Sequence, residues 1–209
     1  MGRVDKGKWG MNLVNVFLLM SVLVSVVFIG VLGGGCSMNV KQGNFAEYPQ
    51  QVQVGTVSTQ RVYAQKPGYY AVHYAQPEDR AEDMAASEAI SIMEEEGIAV
   101  FLGTPGDHKI PNSATISPVY ALQPNGTLTI PTGRIFVRLA ENIPIESRQD
   151  QLQAAGYEIV DRPAYAPHTA WVRWRSGNIA DALIHLSQLM AIPDMENVEP
   201  QMLMQRSFR

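Results

Sequence analysis

Along residues 133–140, GRIFVRLA, apolar side chains recur at every second position. Ile135, Val137 and Leu139 share one side, and Arg134, Phe136 and Arg138 the other. A period of two predicts a half-buried strand. Residues 168–175 repeat the pattern, with Ala170 and Val172 on one side beside Trp174, and Trp171, Arg173 and Arg175 opposite. Between them, residues 146–155 read as a helix opened by Ser147 and Asp150 as a capping-box-like pair, and 157–162 as a strand. Residues 178–190 give the clearest helical period: Ile179, Ala182, Leu183, Leu186, Leu189 and Met190 form one stripe. A short strand at about 195–199 completes the series. The order β-α-β-β-α-β predicts an α+β fold, a ferredoxin-like antiparallel sheet with both helices on one face, over residues 126–200.

A smaller β-α-β-β unit is expected before it, over residues 66–125. GYYAVHYA (68–75) lies beside GRIFVRLA, and EGIAVF (96–101) beside AGYEIV (155–160). Either the chain repeats itself, or two amphipathic β-α-β units look alike. A helix over about 79–96 would place Ala86, Ala89, Ile90 and Met93 on one stripe, with Gly97, like Gly156, as a left-handed C-cap. Asn125-Gly126 between apolar runs signals a hairpin. Pro131, inside its second arm, marks a bulge, an edge or a break.

The first 36 residues fall outside this scheme. A cationic start precedes an apolar run at 16–32 and then GGGCS, which holds Cys36, the single cysteine. That is the build of a secretory signal. Cys36 after small residues resembles a bacterial lipobox, although Gly33 stands where that pattern has Leu. Three readings are open: a lipidated Cys36, an uncleaved anchor helix of about 25–33 Å, or a plain thiol. The first two place the rest of the chain on the outer side of a membrane, in the exported envelope, facing the periplasm or the outside. Residues 37–65, rich in Gln, Ser and Gly, read as a flexible tether.

Composition narrows the chemistry. With 46% hydrophobic and 17% charged residues, the chain is globular in type. Residues 1–8 carry a net +2, so the remainder carries −6, which gives no electrostatic footprint for nucleic acid. The four histidines, His73, His108, His168 and His185, sit at no metal-ligand spacing, and no phosphate loop or serine elbow occurs. Glu94, Glu95 and Glu96 are consecutive, so on a helix they diverge and read as a solvated end. The expectation is a non-enzymatic protein with no cofactor, no metal and no small-molecule substrate.

What the pattern does offer is a surface. If helices cover the aliphatic side of the sheet, the free side carries Phe136 and Trp171 with Arg134, Arg138, Arg173 and Arg175. Aromatics and arginine are the types enriched at interface hot spots. The competing reading is that arginine stems merely cover exposed rings. After Pro200, residues 201–209 read as a C-terminal tail. Met202, Leu203 and Met204 are apolar and extended-competent, suited either to strand addition on a partner or to packing on their own domain.

The run TGRIFVRLAENIPIESRQDQLQAAGYEIVDRPAYAPHTAWVRW, then NIADALIHLSQLMAIPDMENVEPQM, resembles the propeptide of subtilisin-type serine proteases in its fervidolysin-like N-terminal prodomain form. The V-R-L first strand, the helix ending A-A-G-Y and the finish D-x-E-N-V-E-P carry the resemblance, over roughly residues 116–204. It implies a folding chaperone and inhibitor whose open sheet face docks on the protease and whose tail lies in the substrate cleft. Met202, Leu203 and Met204 would then fill subsites. Glu196 and Glu199 would cap helix N-termini on the enzyme, or else stay solvated. The segments Asp-Thr/Ser-Gly, His-Gly-Thr-His and Gly-Thr-Ser-Met-Ala do not occur. The expected protein therefore acts in trans, tethered to a membrane through lipidated Cys36 or an N-terminal helix. The alternative is an envelope lipoprotein adaptor that binds a non-protease partner through the same face.

Overall fold

Two thirteen-residue strands, β2 (Arg61–His73) and β6 (Thr127–Leu139), organise everything around them. Each is interrupted by a glycine at positive φ, Gly68 at +81° and Gly133 at +80°, where the pairing register shifts. A left-handed residue inside a strand is what a β-bulge needs and what glycine supplies without strain. The computed structural model describes residues 45–55, 60–76, 79, 88–107 and 110–204, all within one compact unit, Asn39–Arg209.

The remaining strands are β1 (Gln51–Val54), β3 (Ser91–Met93), β4 (Ile98–Leu102), β5 (Thr115–Leu122), β7 (Tyr157–Asp161), β8 (Thr169–Trp174) and β9 (Met195–Met204). They join β2 and β6 in one antiparallel sheet of mixed α+β type. The strands that follow β2 are ordered β3-β4-β2-β5, and those that follow β6 are ordered β7-β8-β6-β9, the same order twice. The register repeats as well. Tyr70, two residues past the first bulge glycine, faces Pro118, and Ile135, two past the second, faces Pro200. The pairing of 68–75 with 133–140 therefore holds at the level of strand position. EGIAVF does not match AGYEIV, because β4 occupies the place of β8 and not of β7.

Among the described residues three short helices cover one face: α1 (Gln149–Ala154), α2 (Ile179–Ile184) and α3 (Leu186–Met190). Leu152, Ala182 and Leu189 from these helices pack with Ile135, Val137, Leu139, Ala170 and Val172. Asn178 caps α2, its side chain accepting from the Asp181 N–H at 3.0 Å. Of the stripe expected over 178–190, Ile179, Ala182, Leu183 and Leu189 are buried and Leu186 half-buried, but Met190 is exposed and the helix breaks at His185 (φ −96°, ψ 15°). Ser147 caps nothing. It lies in a 3-10 turn, Ile145–Arg148, and its hydroxyl donates to the Pro144 carbonyl.

Several expectations need correction. The sheet is not a simple ferredoxin-like unit with a separate unit before it, because β5 and β6 join both halves in one ladder. Residues 88–96 form no α-helix: β3 and the 94–97 turn stand there, and 80–87 lie outside the described residues. Ile90 and Ile92 are exposed and Ser91 is buried, so pairing of β3 with β4, and not a buried apolar stripe, sets this segment. Gly97 (φ +65°) serves a β-turn and not a helix cap, whereas Gly156 (φ +88°) does follow α1. The tether is shorter than expected: Tyr48, Val52 and Val54 are buried against Tyr63 and Tyr120. The Asn125-Gly126 hairpin is formed, with the Thr127 N–H donating to Asn125 Oδ1, and Pro131 adjoins the β6 bulge.

One core position is suboptimal. Thr129 is fully buried in β6, and its hydroxyl has no hydrogen-bond partner. An orphaned buried hydroxyl costs its desolvation without return. Thr129→Val is therefore expected to stabilise the fold by about 1 kcal/mol, raising Tm by about 2–4 °C. A lower Tm in a thermal melt would mean that the hydroxyl is engaged.

Candidate functional site

The face of β6 and β8 opposite the helices carries most of the residues that the alternation singled out. Directly paired in register are Arg134 with Arg173, Phe136 with Trp171 and, toward β9, Phe136 with Glu199 and Arg138 with Asn197. Phe136 and Trp171 meet edge to face at 5.3 Å between centroids, and the Arg134 guanidinium lies over the Trp171 ring at 5.1 Å. Both rings are half-buried, and Arg138 and Arg173 are exposed. The two rings form the centre of the face because directly opposite residues of antiparallel strands project to the same side.

Around these rings every strand arginine has an acidic partner. Arg173 Nε sits 2.6 Å from Glu158, Arg138 Nε 3.5 Å from Glu196, and Arg134 3.9 Å from Asp161. Glu199 pairs with Arg61 at the start of β2, 138 residues away in sequence. Such exposed pairs add little stability. Their effect is to cancel charge locally and to fix the arginine heads, leaving the aromatic pair in an electrically balanced surround. Glu196 and Glu199 are thus engaged within the chain.

The other singled-out residues lie elsewhere. Arg175 falls past the end of β8, where its backbone N–H donates to the Gly156 carbonyl, so it does not belong to the strand face. Met202, Leu203 and Met204 are not a free tail. They are the last residues of β9, paired with Pro131, Ile130 and Thr129. Met202 and Leu203 also pack against buried clusters. The strand ends beyond Pro200 because Met and Leu there continue an apolar ladder already begun at Val198. Residues 205–209 and Cys36 lie outside the described residues.

The two halves of the sheet differ at this face in an informative way. By register, Phe136, Trp171 and Glu199 correspond to Ala71, Val100 and Ser117. That second trio is small and buried. Beside it, His73 stands where the other half has Arg138, with Nε2 at 2.8 Å from the Ser117 hydroxyl. The same fold position is core in one half and an aromatic surface in the other. Sequence reading found the aromatic surface through alternation. It missed the Arg61–Glu199 pair, for which no local signal exists.

His73 supplies a pH test. Burial pushes its pKa down to about 4 from an ordinary 6.5. The folded state then resists protonation that the unfolded chain accepts. Stability is full above pH 6.5, falls as pH drops toward 4, and levels off below. The loss attributable to His73 is about 2–3 kcal/mol at pH 4.5. Urea unfolding of wild type and His73→Gln at pH 7.5 and 4.5 is expected to show a steeper acid loss in wild type. Equal losses would remove His73 from the account.

Among the described residues no group of three His, Cys, Asp or Glu side chains could hold a metal ion, and no helix is long and apolar enough to cross a membrane. A groove of about 310 Å³ runs between β1, α3 and β9, lined by Val54, Leu186, Met190 and Val198, with Glu196 its one charged residue. Comparison with family models, curated proteins and solved structures returned no match.

Proposed function

We propose that this protein is a non-catalytic docking module that binds a partner protein through the Phe136–Trp171 face. The observation that carries the reading is the contrast between halves. Where one half places Ala71 and Val100 in its core, the other places two half-exposed rings set edge to face, with an arginine over the indole. A sheet face that had only to be soluble would not need them. Large rigid rings ringed by fixed polar groups are the composition of a binding hot spot. The local charge balance fits a protein partner better than a polyanion.

The resemblance to subtilisin-type propeptides supplies the partner class: a subtilisin-type serine protease, bound in trans, inhibited and helped to fold. In support, the order β9-β6-β8-β7 with intervening helices is the ferredoxin-like order, and we read the C-terminal half as that unit embedded in a wider sheet. Export, with anchoring through Cys36 or the 16–32 segment, belongs to the same proposal.

A second reading is favoured by one observation. Residues 202–204 are held in β9, so a cleft-filling tail would have to leave the sheet or begin after Met204. An envelope adaptor that binds a non-protease partner through the same face needs no such release. Titrating the full chain, and a form ending at Met204, against a panel of subtilisin-type proteases separates the readings. Inhibition by both forms supports protease docking through the face. Inhibition lost on removing residues 205–209 returns the weight to a tail. Absence of inhibition by either, with the protein folded, leaves the adaptor.

A further inference from the structure

The outer edge of β9 tells its own story through the repeated strand order. Twice in this chain a strand is capped, antiparallel, by the opening residues of the next long strand. The edge of β1 at 52–54 is paired by Arg61, Val62 and Tyr63 of β2, and the edge of β5 at 120–122 by Thr127, Leu128 and Thr129 of β6. In the second half, β9 stands where β5 stands in the first: Pro200 corresponds to Pro118, and residues 202–204 to 120–122. Among the described residues β9 pairs with β6 alone, so the edge that is capped in β5 is uncapped in β9.

We propose that the outer edge of residues 202–204 is a strand-docking site, occupied by an extended segment of a partner protein running antiparallel to β9. The two internal caps define what fits. Both are β-forming triplets read as polar, aliphatic, hydroxyl-bearing: Arg-Val-Tyr and Thr-Leu-Thr. The incoming aliphatic side chain pairs with Leu203, which packs beside Ile130, Leu128 and Val119. Residues 202–204 carry neither proline nor charge, two of the devices by which an edge is protected. Main-chain hydrogen bonds supply the affinity, and the alternating side chains supply the selection. The site is separate from the Phe136–Trp171 face and does not depend on the function proposed for it.

The test uses the full chain and two probes. In the first, residues 205–209 are replaced by a second copy of residues 123–130, QPNGTLTI, so that the cap is tethered at high effective concentration. The expected results are a Tm raised by about 2–4 °C and amide exchange at residues 202–204 slowed at least about tenfold, relative to the same chain ending in QPNGTPTP. In the second, the capped peptide Thr-Leu-Thr-Ile at millimolar concentration produces the same protection pattern in the unmodified chain. Its N-methylated analogue, which lacks the edge-facing donors, does not. Trp171→Ala leaves the pattern unchanged. No protection from either probe in a folded chain overturns the proposal. Equal protection by the N-methylated peptide does so too, as does a full chain already dimeric with these amides slow to exchange, since a second copy would then hold the edge.

Discussion

Gly156→Ala is expected to destabilise the protein by about 3 kcal/mol, the sum of two effects. Gly156 sits at φ +88°, where an L side chain is strained by about 1–2 kcal/mol. A Cβ there would also lie 2.5 Å from Trp174 Cζ3. The indole cannot easily retreat. His185 stacks on it at 4.5 Å and 12°, and Tyr157 meets it edge-on at 5.1 Å. Tyr157 is itself fully buried and donates to the Ala182 carbonyl at 2.8 Å, which ties this corner to α2. Overpacking of that kind adds about 1–3 kcal/mol. Gly177→Ala is the control: φ is +77°, but a Cβ there meets nothing within 4 Å. Only the backbone cost applies to it, about 1–2 kcal/mol. Urea unfolding of the two variants gives the comparison, and equal losses would show that Trp174 yields freely.

Trp171→Ala is expected to weaken partner binding by about 2 kcal/mol or more, at least about thirtyfold in Kd, with a smaller loss of stability of about 1 kcal/mol from the broken ring pair. Trp171 is the ring on which Arg134 lies and against which Phe136 is set, so its removal frees both neighbours at once. Phe136→Ala should act in the same direction, and the double variant should lose less than the sum, because the rings form one contact. Tyr165→Ala, at a loop residue 91% exposed, should change nothing. Equal affinities across Trp171→Ala and Tyr165→Ala would remove the face from the binding account.

The C-terminal half was the legible part of the sequence. Ile135, Val137, Val172 and Leu189 announced their sides through periods of two and 3.6, and those residues are buried. The first half was harder for a physical reason. Its strands are buried on both faces, as Tyr70-Ala71-Val72 and Ile98 to Phe101 are, or very short, and β3 has three residues, too few for a period to declare itself. Val52 and Val54 did alternate, but between glutamines, and only Tyr63 and Tyr120 across the sheet reveal what they are buried against. For the second half of β9 the sequence leaves a partner-binding tail and packing on its own domain both open, because propensity alone does not say whether an extended apolar run has a neighbour; β6 provides one. For the candidate face, alternation placed Arg134, Phe136, Arg138, Trp171 and Arg173 together. Their pairing with carboxylates of β7 and β9 needed the fold.

The most direct test of the central claim is oxidative footprinting of the full chain, free and saturated with a subtilisin-type protease that it inhibits or, where none is inhibited, with its envelope partner. The account predicts that Phe136 and Trp171 lose most of their labelling in the complex while Tyr165 keeps its own. Unchanged labelling of both rings in a saturated complex would contradict it.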